Sequence, residues 1–238
     1  MEKNDLHPTS RRGFLGSLAA GTTALGISAI ATPFNLHAEP TPQTVADADA
    51  WFNTIKGKHR IAFDVTKPHE IFPFAWPKVF LLTNQATGTP AKDCSVVVIL
   101  RHDGIPYAFQ DSMWAKYKFG EFFKAGDLGH GFLAADAATA AATRNPVWKP
   151  KPGDFAAPGL GPVAIGINDL MADGVMFCIC DVAMTVYSNV IGGMMKMDPA
   201  EVKKEWIANL IPGVQVAPSG VWAVGRAQEH GCAIIAVG

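Results

Sequence analysis

The side chains best placed to do chemistry in this chain are Cys180 and His102. Val175-Met176-Phe177-Cys178-Ile179-Cys180 is an unbroken apolar run of strand length, and Asp181-Val182-Ala183-Met184-Thr185-Val186-Tyr187-Ser188 follows at once. A run with no polar alternation reads as a central strand covered on both faces. Asp181 is expected to cap a helix that continues to Gly192-Gly193. Cys180 then stands where a strand gives way to a helix, the edge at which ligands and chemistry collect in an open α/β sheet. A thiol there feels the positive end of the helix, which favours the thiolate, the nucleophilic form. The alternative reading makes Cys178 and Cys180 small core hydrophobes, as most buried cysteines are.

Ser95-Val96-Val97-Val98-Ile99-Leu100-Arg101 is a second buried strand, with β-branched residues in succession and His102-Asp103-Gly104 at its exit. If the two strands are neighbours, His102 and Cys180 share one edge, where a histidine can stabilise a thiolate or carry its proton. Otherwise His102 is a turn residue that bonds locally, and Asp103-Gly104 is ordinary turn chemistry. Gly159-Leu160-Gly161-Pro162-Val163-Ala164 fits the loose dinucleotide pattern, but it follows a proline-rich stretch rather than a strand, so no cofactor is expected from it. Met194, Met195 and Met197 are thioethers suited to Cu(I), yet they have no histidine nearby, and packing or interface use is the simpler reading. Cys178 and Cys180 are poorly disposed to bond each other, since two residues along a strand span about 7 Å. Cys94 and Cys232 each open an expected strand and can pair only if those strands are adjacent.

These residues need a scaffold, and the spacing supplies one. A short amphipathic lead-in is expected over 43–58, then a strand from His59 through Ile61 to Val65. A helix is expected from near Trp76, carrying Val79, Phe80 and Leu82, to Thr87-Gly88-Thr89-Pro90. Phe109, Met113, Trp114 and Tyr117 mark another over 108–118. Residues 119–160 read as irregular apart from an alanine-rich helix over 134–143. The segment Asn145-Pro146-Val147-Trp148-Lys149-Pro150-Lys151-Pro152-Gly153 excludes helix and central strand and suggests a lid, an interface arm or a mobile loop. A helix over 163–171 leads to the cysteine strand. Asp198-Pro199-Ala200-Glu201 starts another, stopped by Pro212-Gly213. Val214 to Val216 is a short strand, Ser219 caps a helix ending at His230-Gly231, and Cys232 to Val237 closes the sheet. Strands alternating with helices predict a parallel α/β domain with right-handed crossovers.

The chain has 238 residues with 20 basic and 21 acidic side chains, a balance that argues against a nucleic-acid surface or an electrostatic membrane anchor. The low charged fraction of 17 % against 49 % hydrophobic suggests much buried surface and a subunit interface. Ser10-Arg11-Arg12-Gly13-Phe14-Leu15-Gly16, followed by a weakly apolar, uncharged Gly/Ala-rich stretch to Ile30, resembles a twin-arginine (Tat) export signal. Ala29-Ile30-Ala31 and Leu36-His37-Ala38 are two small-residue cleavage sites. The expected organisation is therefore a signal peptide over 1–38, a linker and lead-in helix over 39–58, and an α/β domain over 59–238. The resemblance implies engagement of the Tat translocase and a periplasmic address, where disulfides are permitted.

The strand ending in His102-Asp103-Gly104-Ile105-Pro106, the strand Val175 to Cys180 running into Asp181-Val182-Ala183-Met184, and the closing unit Val214 to Val237 together resemble the DsrE/DsrF-like sulfur-relay superfamily over about residues 59–238. That resemblance implies a three-layer αβα domain with a mainly parallel five-stranded sheet, assembled as a homo-oligomer. It also implies sulfur carried as a persulfide on the cysteine at the end of this strand, which is Cys180, exchanged with a sulfur donor or acceptor protein. His102 would be its proton partner. Asp181 departs from the pattern, and its charge works against a thiolate. The alternatives are a non-catalytic binding or scaffolding protein of the same fold, and a metal-binding protein using Cys180 and His102.

Overall fold

A computed structural model describes residues 45–129 and 143–238. The twin-arginine stretch and both cleavage sites lie outside those residues, as does the expected helix over 134–143 apart from Thr143. Five parallel strands form the sheet: β1 (His59–Val65), β2 (Cys94–Leu100), β5 (Met176–Cys180), β6 (Gln215–Ala217) and β7 (Ala233–Val237), in the spatial order β6-β5-β2-β1-β7. The small hairpin β3 (Ala156–Ala157) and β4 (Gly161–Pro162) lies apart from it. The helices are α1 (Val45–Phe52), α2 (Phe72–Ala86), α3 (Asp111–Tyr117), α4 (Phe119–Phe122), α5 (Ile167–Ala172), α6 (Asp181–Met195), α7 (Pro199–Ala208) and α8 (Gly220–Glu229).

This order fixes the layers. From β1 to β2, β5 and β6 the chain steps in one direction, so right-handed crossovers put the intervening helices on one face. The last step, β6 to β7, passes back across the sheet and lays α8 on the other face. Alternation along each strand then divides the core. Phe63, Val98, Leu100, Phe177 and Ile179 face the larger layer, which includes Phe74, Trp114, Met184 and Trp206. Ala62, Val97, Ile99 and Cys178 face the smaller one, with Phe52, Ala223 and Ala227. The smaller face has small residues at its centre because α1 and α8 sit close upon it; Phe52 meets Trp222 edge-on at 5.7 Å. The expected lead-in is thus part of the second helical layer.

Several elements differ from expectation for identifiable reasons. Helix α2 begins at Phe72 rather than Trp76, because Pro73 fits a first turn where no N–H is required. Its buried face is Pro73, Phe74, Pro77 and Leu81, while Val79 and Leu82 are exposed. Helix α5 begins at Ile167 rather than Val163, because Val163 closes the β3–β4 hairpin by donating to the Phe155 carbonyl at 3.0 Å. Gly159 and Gly161, the glycines of the rejected dinucleotide pattern, hold positive φ in that hairpin. Helix α6 runs through Gly192-Gly193 and ends at Met195, with Lys196 left-handed at its C-cap; a side chain at Gly192 would press on the Met197 carbonyl and Pro199.

The proline-rich segment is docked rather than free. Asn145 is wholly buried, and its amide donates to the carbonyls of Tyr107 at 2.9 Å and Phe109 at 2.8 Å. Its side-chain oxygen accepts from Val147 N at 3.1 Å, and its own N–H donates to Asp111 Oδ1 at 3.0 Å. Val147 O in turn accepts from Ile167 N at 2.7 Å, so the segment ties the loop after β2 to the helix that leads into β5.

Candidate functional site

Strand β2 lies between β1 and β5, so His102 and Cys180 do stand at the carboxyl edge of adjacent strands. Leu100 is in register with Ile179, which sets Arg101 beside Cys180 and His102 one step beyond. The two expected site residues are not joined by a hydrogen bond. His102 is left-handed (φ 50°), 66 % exposed in its side chain, and has Nδ1 at 3.4 Å from Asp103 Oδ1. Its ring meets Tyr187 of α6 edge-on. The Tyr187 hydroxyl donates to the same Asp103 carboxylate, and burial followed by that carboxylate pushes the phenol well above its ordinary value. A non-glycine residue held at positive φ is uncommon, and here the Asp103 N–H to Thr66 O bond at 3.0 Å holds the turn that imposes it.

Cys180 is 6 % exposed and is itself the N-cap of α6. Its sulfur accepts from Ala183 N at 3.2 Å, the bond that the sequence reading assigned to Asp181. Cys180, the last strand residue, is already extended, so it takes the capping place and Asp181 falls inside the first turn of the helix. Asp181 occupies the first turn, where its carboxylate pairs with Lys203 Nζ at 2.8 Å, and Lys203 also donates to Thr185 Oγ1. That pairing offsets the negative charge beside Cys180. Cys178, by contrast, is fully buried, and burial pushes its thiol far above the ordinary range, with smaller contributions from Cys180 and Asp64. The structure therefore separates two cysteines that the sequence could rank only by position.

Two residues at this edge were not singled out from the sequence. Asp64, near the end of β1, is 8 % exposed and receives Arg101 in a two-pronged pair, Nε to Oδ1 at 2.6 Å and Nη2 to Oδ2 at 2.8 Å. The signal was present: a carboxylate inside Ile61-Ala62-Phe63-Asp64-Val65 must be paired if that run is a central strand. The Asp64 hydrogen bond holds the guanidinium above its ordinary value, and Cys180 is near enough to contribute to the same shift. Gly220 closes the edge from above: a side chain there would fall 2.4 Å from Arg101 Cβ.

Cys94 and Cys232 cannot pair, because β1 separates β2 from β7; all four cysteines are free. Cys94 instead borders an open cleft of about 410 Å³ at the opposite, amino edge of the sheet, with Lys56, Lys58 and Lys92. Among the described residues no group of three or more His, Cys, Asp or Glu is placed to hold a metal ion, and no helix is long and apolar enough to cross a membrane. The chain's parallel five-stranded sheet, covered by helices on both faces, is that of a three-layer α/β domain. Comparisons with protein-family models, with curated proteins and with solved structures find no match to the chain.

Proposed function

We propose that this chain is an exported DsrE-like protein that handles sulfur on Cys180, passing it between a donor and an acceptor. The observation that carries this reading is the setting of that sulfur. It accepts a backbone N–H at the start of a 15-residue helix, on the strand next to Arg101 and close enough to act on that guanidinium, while its neighbour Cys178 is sealed in the core. Such a setting accommodates the negative charge that a sulfur nucleophile carries through the reaction.

The chemistry balances without an outside oxidant. The Cys180 thiolate attacks the outer sulfur of a persulfide donor, a new S–S bond forms, the donor's S–S bond breaks, and the donor leaves as a thiolate. An acceptor thiolate then attacks the outer sulfur of the Cys180 persulfide and restores the Cys180 thiolate. His102, on the same edge and open to solvent, is the proton partner in this scheme. Export by the Tat translocase to the periplasm and assembly as a homo-oligomer belong to the same proposal, and rest on the twin-arginine stretch and the family resemblance.

The test is mass spectrometry of the mature protein after incubation with polysulfide. The expected result is a sulfur adduct on the Cys180 peptide that is lost in Cys180→Ser; no adduct there would end the proposal. One observation favours a second reading, a binding or scaffolding protein without catalysis: Cys180 is nearly enclosed and has a structural role as a helix cap. In that case Cys180 resists iodoacetamide in the folded protein and labels only after unfolding.

A further inference from the structure

We propose that Arg101 is the specificity-determining cation of the Cys180 site, giving it a preference for anionic reactants over neutral ones. The inference rests on Cys180 acting as a nucleophile and adds a substrate class to it: anions whose charge lies within a few bonds of the atom attacked.

Several observations converge on this role. Arg101 follows the last residue of β2, and the parallel register sets it beside Cys180 on β5. Its guanidinium spends only one edge on Asp64, through Nε and Nη2, and among the described residues no hydrogen bond engages Nη1. The side chain remains 28 % exposed, so the free edge is reachable from solvent. Asp64 is fixed in a central strand and nearly buried, which makes it an anchor and not a competitor for an incoming anion.

The stem of Arg101 is also held. A side chain at Gly220 would lie 2.4 Å from Arg101 Cβ and 2.5 Å from its Cδ, so the first turn of α8 presses directly on the arginine. The positive ends of two helices, α6 at Cys180 and α8 at Arg101, therefore meet at one point of the edge. The nearby charges do not cancel this. Asp181 is occupied by Lys203, and Asp103 faces His102 and Tyr187. An arginine anchored on one edge by Asp64 is suited to receive a carboxylate, a sulfonate or a persulfide anion on the other while the sulfur beside it reacts.

Two alkylating agents of similar shape, one anionic and one neutral, test this. Iodoacetate is an anion and iodoacetamide is neutral; with either, the Cys180 thiolate forms a C–S bond and iodide leaves. Rates at the Cys180 peptide are read by mass spectrometry on the folded full chain, each normalised to a small free thiol. In Arg101→Gln the iodoacetate-to-iodoacetamide ratio should fall about three- to fivefold, as for a partly exposed charge pair. In Arg101→Lys it should stay within about twofold of wild type. In Asp64→Asn, where the cation remains and its counter-charge is gone, it should rise. Raising the salt to 1 M should pull the wild-type ratio toward that of Arg101→Gln. A ratio unchanged in a folded Arg101→Gln protein, or one that falls in Asp64→Asn, overturns the inference while leaving Cys180 chemistry intact. A Cys180 that neither reagent labels overturns both.

Discussion

Asn145→Ala should be among the most damaging single substitutions outside the aromatic core, although it lies in a segment whose composition reads as a loop. The carboxamide makes three hydrogen bonds to backbone groups, two to the carbonyls of Tyr107 and Phe109 and one from Val147 N, and the side chain is wholly buried. A buried hydrogen bond contributes on the order of 1 kcal/mol net, and leaving its partner unsatisfied costs about 1–3 kcal/mol. The two carbonyls each retain a second lone pair, which softens the loss, so the cost should be about 3–4 kcal/mol. For a domain of this size that lowers Tm by about 6–16 °C. Asn145→Asp should be no better, because it turns a carboxylate toward two carbonyl oxygens. The assay is thermal unfolding followed by circular dichroism, with limited chymotryptic cleavage after Trp148 as a local readout. A fall in Tm below about 2 °C, with proteolysis unchanged, would refute the reasoning and mean that the segment is held by something other than Asn145.

Two further outcomes follow from groups around the site and its support. Cys180→Ala removes the acceptor for Ala183 N, whereas Cys180→Ser keeps one, so in urea the alanine variant should be less stable than the serine variant by about 1 kcal/mol. Equal stabilities would show that the cap bond contributes nothing. Glu205 on α7 accepts from Lys116 Nζ at 2.6 and 2.7 Å and from the Tyr117 hydroxyl at 2.5 Å, tying α3 to α7. Burial raises this carboxyl, but the bonds from Lys116 and Tyr117 outweigh it and hold it below its ordinary value of 4.5. A depressed folded value gives stability that is present above pH 4.5 and lost as the pH falls through the folded value. The stability gap between wild type and Glu205→Gln should therefore be constant near neutrality and close on acidification; a gap that widens in acid contradicts this assignment.

The strands were the most legible part of the sequence. Unbroken apolar runs such as Val96 to Leu100 and Phe177 to Cys180 are distinctive because both faces are buried. Capping signals were also readable: Asp198 accepts from Ala200 N and Ser219 from Trp222 N, as their positions suggested. Asp181 was misread because residue type is a weaker guide than backbone conformation at a strand-to-helix junction. The Arg101–Asp64 pair joins residues 37 positions apart, and local pattern has no access to it. Neither could composition show that the proline-rich stretch is docked, since the partners of Asn145 lie 36 and 38 residues earlier. Local chemistry excluded helix and strand there, but only the tertiary arrangement turns an excluded segment into a brace.

With β1 between β2 and β7, Cys94 on β2 and Cys232 just before β7 stand apart, and with all four cysteines free the polypeptide has no covalent staple. Reducing agents then have no bridge to cut, and the melting curve should be the same with and without dithiothreitol. Any effect of dithiothreitol on this protein can accordingly be traced to a modified side chain, not to a cut bridge. That makes modification of a thiol distinguishable from loss of a bridge in a single set of measurements.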